Sequence, residues 1–273
     1  MENCLGQFFV LNGEVKPAME FLQTIPGEND LIYEVIRIEA GIPLFLEDHL
    51  SRLETSIRLL NAGFPFAKEG IIESIKKLII SNKSDTGALK ILLFYKNNRM
   101  LFVHLMKEYK PTAEEYISGI ETRFFYESRE NPNAKVWNAG FRQRTADEIS
   151  RNSLFELVLV NPEGFITEGS RSNIFFIRGN EVYTAHDDFV LSGITRKKVL
   201  SVCQSLQIKV NFEMIDFRDV SKFDSAFFTG TTRIMVPVRQ IENVSFEVNN
   251  PVFGLLKDGF QKLVKEYVSE KRQ

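Results

Sequence analysis

Apolar and polar positions follow two rhythms along the chain, one suited to strands and one to helices. Phe8-Phe9-Val10-Leu11 is a short apolar run closed by Asn12-Gly13, which predicts a strand entering a tight turn. Leu31 to Ile38 is rich in β-branched and aromatic residues and predicts a second strand. Ala40-Gly41 turns the chain into Ile42-Pro43-Leu44-Phe45-Leu46, read as a third. A helix is expected from Glu47 to Asn61, because Leu46, Leu50, Leu53, Ile57 and Leu60 form one apolar stripe. Gly63 stands where a C-terminal cap belongs. Gly70 to Ile80 predicts a second amphipathic helix. Leu89 to Phe94 and Met100 to Leu105 predict paired strands around Lys96-Asn97-Asn98-Arg99. The first half thus reads as strands with two helices on one side.

Glu108 to Tyr116 is polar and contains Pro111. The boundary is placed there, between a smaller N-terminal domain of residues 1–112 and a larger one of residues 113–273. Strands are expected at Ile120 to Tyr126 and Leu154 to Val160, with a turn at Asn161-Pro162-Glu163-Gly164. Asn173 to Arg178 and Glu181 to Tyr183 flank Gly179-Asn180, a hairpin signal. A helix is expected from Thr195 to Leu206, with Val199, Val202, Cys203 and Leu206 on its apolar face. Ala226 to Thr229 is a strand entering a polar turn, and Phe253 to Tyr267 a closing helix. There are no internal repeats. The fold class expected is α+β, with two sheet-containing halves.

Composition narrows the function classes. Of 273 residues, 44% are hydrophobic and 26% charged, enough for a real core. The net charge is −2 with no long basic run, so no nucleic-acid footprint is visible. No apolar stretch reaches the roughly 20 residues that span a bilayer. Met1-Glu2-Asn3-Cys4 lacks the basic start of a signal peptide. Cys4 and Cys203 are far apart, so a reducing cytoplasm is the expected location. His49, His104 and His186 are scattered, and no metal site is expected.

Several residues have chemistry beyond packing. Ser192-Gly193-Ile194-Thr195 stands just before a helix. Gly193 would let the backbone turn sharply, Thr195 would cap the helix, and the free amides would form an anion site. In most chains such a Gly-x-Thr is only a cap. Thr229-Gly230-Thr231-Thr232 follows a strand. It would present hydroxyls and amides to a phosphate, or be an ordinary polar turn. Arg52 lies off the stripe centre. Its fork suits a phosphate, while a solvated rim position is the commoner fate. Lys135 reads as an interior lysine beside the single tryptophan, Trp137. A buried lysine is the usual source of a Schiff base, although most lysines are solvated. Glu168 precedes Gly169-Ser170. It is either an exposed turn acid or a buried carboxylate that needs a cationic partner.

Their order along the chain resembles the class IV, or fold-type IV, pyridoxal-phosphate-dependent aminotransferase family, which includes branched-chain and D-amino-acid aminotransferases and 4-amino-4-deoxychorismate lyase. Tyr33-Glu34-Val35 and His49-Leu50-Ser51-Arg52-Leu53 resemble its Tyr/Phe-Glu and His-x-x-Arg-Leu elements. Lys135-Val136-Trp137-Asn138 resembles its Lys-x-x-Asn. Thr167-Glu168-Gly169-Ser170-Arg171-Ser172-Asn173 and Leu191-Ser192-Gly193-Ile194-Thr195-Arg196 are similar to its consensus. The resemblance covers nearly the whole chain. It implies a two-domain enzyme, each domain a β-sheet or barrel with flanking helices, that binds pyridoxal 5'-phosphate and assembles as a homodimer, with the site between the two domains and near the partner chain. It implies that Lys135 bonds the cofactor and shuttles the proton. Glu168 would pair with the pyridine nitrogen and keep it protonated. Arg52, the amides of Ile194 and Thr195, and Thr231 would hold the phosphate, with Gly193 and Thr232 alongside. Leu191 would pack on the ring face, and Tyr33 would border the substrate.

Departures bear on the subtype. Phe21-Leu22-Gln23-Thr24-Ile25-Pro26-Gly27-Glu28-Asn29-Asp30 stands where many members carry Asp-Arg-Gly-x-x-x-Gly-Asp-Gly. Ala139 replaces the Tyr that branched-chain enzymes place after the Asn. The Arg-x-His pair of D-amino-acid enzymes is not evident; Lys96 or Arg99 would clamp the substrate carboxylate, or else mark a solvated hairpin tip. Arg233, after the Thr-rich turn, is another clamp candidate or else a surface residue, and Arg171, near the cofactor motif, would face either way. The leading expectation is amino-group transfer between an amino acid and a 2-oxo acid. The alternatives are 4-amino-4-deoxychorismate lyase, releasing 4-aminobenzoate and pyruvate from aminodeoxychorismate, and a non-catalytic binding protein of the same fold.

Overall fold

The computed structural model describes residues 4–26, 31–63, 66–96, 99–108 and 110–272. Met1 to Asn3, residues 27–30 of the altered loop, Asn97 and Asn98 of the hairpin tip, and Tyr109 of the expected boundary lie outside them. Two compact units are present. The first comprises Met1–Glu108, Ala134–Trp137 and Glu266–Gln273; the second comprises Tyr109–Asn133 and Asn138–Lys265.

The first unit contains β1 (Leu5–Leu11), β2 (Glu14–Pro17), α1 (Phe21–Thr24), β3 (Leu31–Glu39), β4 (Ile42–Pro43), α2 (Leu46–Leu59), α3 (Lys68–Asn82), β5 (Gly87–Phe94) and β6 (Met100–Met106). Its antiparallel sheet has the order β2-β1-β6-β5-β3-β4. Side chains alternate across a strand, so β3 serves two surfaces. Ile32, Ile36 and Ile38 pack with Leu50, Leu53 and Ile57 of α2 and with Ile71, Ile75 and Leu78 of α3. Leu31 and Tyr33 join Phe9, Phe21, Leu92, Phe94 and Phe102 on the other face. The two expected helices therefore do lie on one side. Tyr267 anchors the start of α2, accepting from Leu46 N at 3.1 Å and donating to Glu47 at 2.8 Å.

Two expectations are corrected here. The third strand is only Ile42–Pro43, because Phe45 takes a left-handed φ of 52° and Leu46 already opens α2. The stripe needs Leu46 on the helix more than the sheet needs it in a strand. Asn61, not Gly63, takes the left-handed position after α2, at φ 52°. Asparagine tolerates that conformation, so no glycine is required.

The second unit contains α4 (Ala113–Ser118), β7 (Ile120–Phe125), α5 (Ala139–Arg151), β8 (Glu156–Val160), β9 (Phe165–Gly169), β10 (Asn173–Arg178), β11 (Glu181–Thr184), α6 (Ile194–Ser205), β12 (Val210–Phe212), β13 (Ile215–Asp216), β14 (Ser225–Gly230), β15 (Ile234–Ile241), β16 (Val244–Ser245) and most of α7 (Pro251–Lys271). Its mixed sheet runs β12-β11-β10-β14-β15-β7-β8-β9-β13, with β16 on β15. Helices α4 and α5 were not expected from hydropathy. The first starts from a capping box between Thr112 and Glu115, a signal present in the sequence. The second buries only Phe141 and Thr145, too narrow a stripe to register. Leu206 is 43% exposed, off the buried face assigned to it, because α6 ends at Ser205. Among the described residues no helix is long and apolar enough to cross a membrane.

Candidate active site

In the first unit, the segment carrying Lys135 bridges β3 at Ile32 and Val136, along the stretch that β4 does not cover. Tyr33 N donates to Lys135 O at 3.2 Å, and Trp137 N donates to Leu31 O at 2.9 Å. Lys135 N donates to Ser56 Oγ at 3.0 Å. Ser56 is fully buried in the α2 stripe, and sequence reasoning missed it. Lys135 is half-buried, not interior, and its Nζ lies 4.5 Å from the centre of the Tyr33 ring. Trp137 meets Tyr33 edge-on at 5.5 Å. A second lysine, Lys90 of β5, is 2% exposed, with Nζ 4.4 Å from the Trp137 ring and 5.6 Å from that of Tyr33. The signal for it was a lysine within an otherwise apolar strand. Lys96 and Arg99 are exposed at the ends of the β5–β6 hairpin tip.

Arg52 is buried against Glu34. Its Nε and Nη2 donate to the two carboxylate oxygens at 2.8 and 2.6 Å, and His49 Nδ1 lies 2.8 Å from Oε2. Because the carboxylate only accepts, Nδ1 carries the hydrogen. Burial alone would push Glu34 up, but the Arg52 charge and the bonds from Arg52 and His49 outweigh it and hold Glu34 at about 2. Burial lowers His49 below its ordinary value despite Glu34, so it is neutral near pH 7. The Tyr-Glu and His-x-x-Arg-Leu elements are thus two halves of one network joining β3 to α2.

The second unit gathers the other expected residues. Glu168 is the penultimate residue of β9 and is 2% exposed, so it is not a turn acid. Its Oε2 accepts from Leu191 N at 3.1 Å and from Asn173 Nδ2 at 3.4 Å, and its Oε1 lies 3.0 Å from Arg129 Nε. Arg129 is the cationic partner that a buried carboxylate requires, and nothing in its polar neighbourhood announced it. Asn173 Nδ2 also donates to Leu191 O at 2.9 Å, fixing the approach to α6. Ile194 and Thr195 are buried in the first turn of α6.

Two expectations about α6 change. Thr195 does not cap the helix; Gly193 is the N-cap residue and no side chain caps it. Nor does Gly193 permit a sharp turn, since its φ is −65°. Glycine is required for space: a Cβ there would lie 2.1 Å from Asn173 Oδ1. Gly193→Ala is therefore expected to destabilise the protein by about 1–3 kcal/mol, read as a lower urea midpoint. A midpoint equal to that of the parent would show that Asn173 can move aside.

The Thr-rich turn joins β14 to β15. Thr232 is buried and Thr231 half-buried. Thr229, register partner of Asn173, has a buried hydroxyl without a hydrogen-bond partner. Arg233 is 5% exposed and ion-paired with Glu156, so it has no surface role. Arg171 is half-buried, and its carbonyl accepts from Arg233 Nη1 at 3.4 Å.

A buried acid, an uncapped helix start and an unbonded hydroxyl are clustered around Asn173. That donor set fits an aromatic nitrogen base bearing a phosphate, as pyridoxal 5'-phosphate does.

The class IV amino-transferase family model matches residues 31–241. The chain is 27% identical to the branched-chain-amino-acid aminotransferase of Pseudomonas aeruginosa, over 85% of this chain and 81% of that one. It is 25% identical to the D-alanine aminotransferase of Bacillus licheniformis, covering 78% and 79%. It is 21% identical to the aminodeoxychorismate lyase of Bacillus subtilis, covering 88% and 87%. The crystal structure of the branched-chain amino acid aminotransferase from Thermobaculum terrenum, in its PLP form, superposes with a TM-score of 0.81 at 21% identity, covering 98% and 96%. The two-unit α+β architecture is that of fold type IV, and the chain belongs to the class IV aminotransferase family.

Proposed function

We propose that the chain transfers an amino group between an amino acid and a 2-oxo acid, using pyridoxal 5'-phosphate. The observation that carries this reading is Lys135, whose main chain is bonded to Tyr33 and Ser56 and whose amine stands over the Tyr33 ring. When bound, the cofactor supplies an electron sink that labilises the bonds of the substrate α-carbon. Lys135 would anchor it and move the proton at that carbon. Glu168, ion-paired with Arg129, would accept a hydrogen bond from the ring nitrogen and keep it protonated. Ile194, Thr195, Thr231, Thr232 and Arg52 would hold the phosphate, with the Gly193 backbone, packed close against Asn173, beside them. Leu191 would cover the ring, and Tyr33 would exclude water from the reacting carbon. Lys90, buried between Tyr33 and Trp137, suits the substrate carboxylate better than the exposed Lys96 and Arg99.

The test is direct. Protein incubated with the cofactor, reduced with borohydride and digested should carry the pyridoxyl group on Lys135. An adduct elsewhere, or none, rejects the reading. Amino acids of both hands are then offered with a 2-oxo acid, and a new amino acid should form. The likeness to an aminodeoxychorismate lyase supports a second reading, elimination of pyruvate with release of 4-aminobenzoate. Pyruvate and 4-aminobenzoate appearing from aminodeoxychorismate, without keto-acid dependence, would decide for it. The same reading includes a cytoplasmic homodimer, for which sedimentation should give twice the chain mass of 31.4 kDa.

A further inference from the structure

We propose that Glu156 and Arg233 form a buried positioning pair that holds the loop after Glu168 and the Thr-rich turn in one fixed relation. The proposal rests on the cofactor reading above. Glu156 opens β8 and has no exposed surface. Its Oε1 accepts from Ser170 Oγ and from Leu157 N at 3.0 Å. Its Oε2 accepts from Ser172 Oγ at 2.8 Å and lies 3.7 Å from Arg233 Nε. Burial raises Glu156, but Arg233 and these bonds outweigh it, so the carboxyl stays below its ordinary value.

The partners tie Glu156 both to the loop after Glu168 and to the Thr-rich turn. Ser170 and Ser172 belong to the loop that leaves Glu168. Ser170 O also accepts, at 2.9 Å, from Nη2 of Arg129, the arginine paired with Glu168. Arg233 closes the Thr-rich turn, and its carbonyl accepts from Tyr116 Oη at 2.8 Å. Its guanidinium lies over the Phe155 ring at 5.2 Å. The next residue, Ile234, has φ 64°, a left-handed conformation costly for a β-branched side chain. The turn is therefore imposed by its surroundings, and the buried pair is the charged part of them. A charge buried this deeply persists only with its partner in place, so the pair specifies the distance between the acid that would meet the ring nitrogen and the turn that would meet the phosphate.

Glu156→Gln, Arg233→Met and the double variant are compared with the parent by titrating the cofactor-free proteins with pyridoxal 5'-phosphate, followed by absorbance, alongside their melting curves. Each single variant should bind the cofactor about tenfold more weakly or worse, the scale on which outer supports of a binding side chain act. The double variant should be no weaker than the worse single one, because both changes remove the same interaction. A single variant that melts cooperatively near the parent and binds within about twofold of it overturns the proposal, as does a double variant whose loss is the product of the single losses. If Glu156→Gln does not fold, Ser172→Ala, which removes one bond to Oε2, takes its place, with a severalfold loss expected and none overturning. A parent that takes up no cofactor at Lys135 fails the cofactor reading itself, a result distinct from these.

Discussion

Lys135→Ala is expected to lower turnover at least a thousandfold while leaving the fold intact. The loss corresponds to about 4 kcal/mol of transition-state stabilisation, since each tenfold in rate is about 1.4 kcal/mol. The fold should survive because the bonds that fix this position are made by the main chain. Tyr33 N to Lys135 O and Lys135 N to Ser56 Oγ do not need the amine. The side chain is half-buried, and trimming it should change stability by about 1 kcal/mol or less. Turnover is read by keto-acid-dependent amino transfer, the fold by circular dichroism and melting. A variant that folds and turns over at the parental rate would remove Lys135 from the chemistry.

Glu34→Ala should give the largest loss of stability of any single change in the first unit, about 3–5 kcal/mol. Glu34 has no exposed surface. Removing its carboxylate strands the buried Arg52 guanidinium and leaves the His49 Nδ1 hydrogen without its acceptor. The same network sets an acid limit. Glu34 is held at about 2 when folded, against an ordinary 4.5. A carboxyl depressed by folding contributes stability that is fully present above pH 4.5 and lost as pH falls from there toward 2. That contribution is on the order of 3 kcal/mol. His49, lowered below its ordinary 6.5, acts in the same direction, because below that pH the unfolded chain takes up a proton that the folded one refuses. Chemical denaturation between pH 7 and pH 3 should show the parent losing stability and Glu34→Gln losing much less. Parallel pH curves for the two proteins would contradict the network.

Much of the architecture was legible where the hydrophobic rhythm is strong. The α2 stripe from Leu46 to Ile57, the β5–β6 pair and the Asn12-Gly13 turn all lie where the pattern put them. Elements with few buried residues were not legible, as α5 shows with only Phe141 and Thr145 inside. In α4 the missed signal was a cap rather than a stripe. At the candidate site, Glu168, Gly193, Thr195 and Thr232 could be named in advance as short motifs, and Lys135 and Arg52 likewise. The reasons they are needed could not. Gly193 reads as a flexible turn until Asn173 is seen filling the space where its Cβ would go.

Residue order by itself determined the strong strands and helices, the succession of lysine, glutamate and small-residue motifs, and through them the family and its cofactor. Those are properties of neighbours two to four positions apart, which backbone geometry brings together in any chain. Only the tertiary structure decided which buried charges meet: Glu34 with Arg52, Glu168 with Arg129, Glu156 with Arg233. The last two pairs join residues 39 and 77 positions apart. A charge reveals whether it is solvated or committed only when its burial and its partner are both in place.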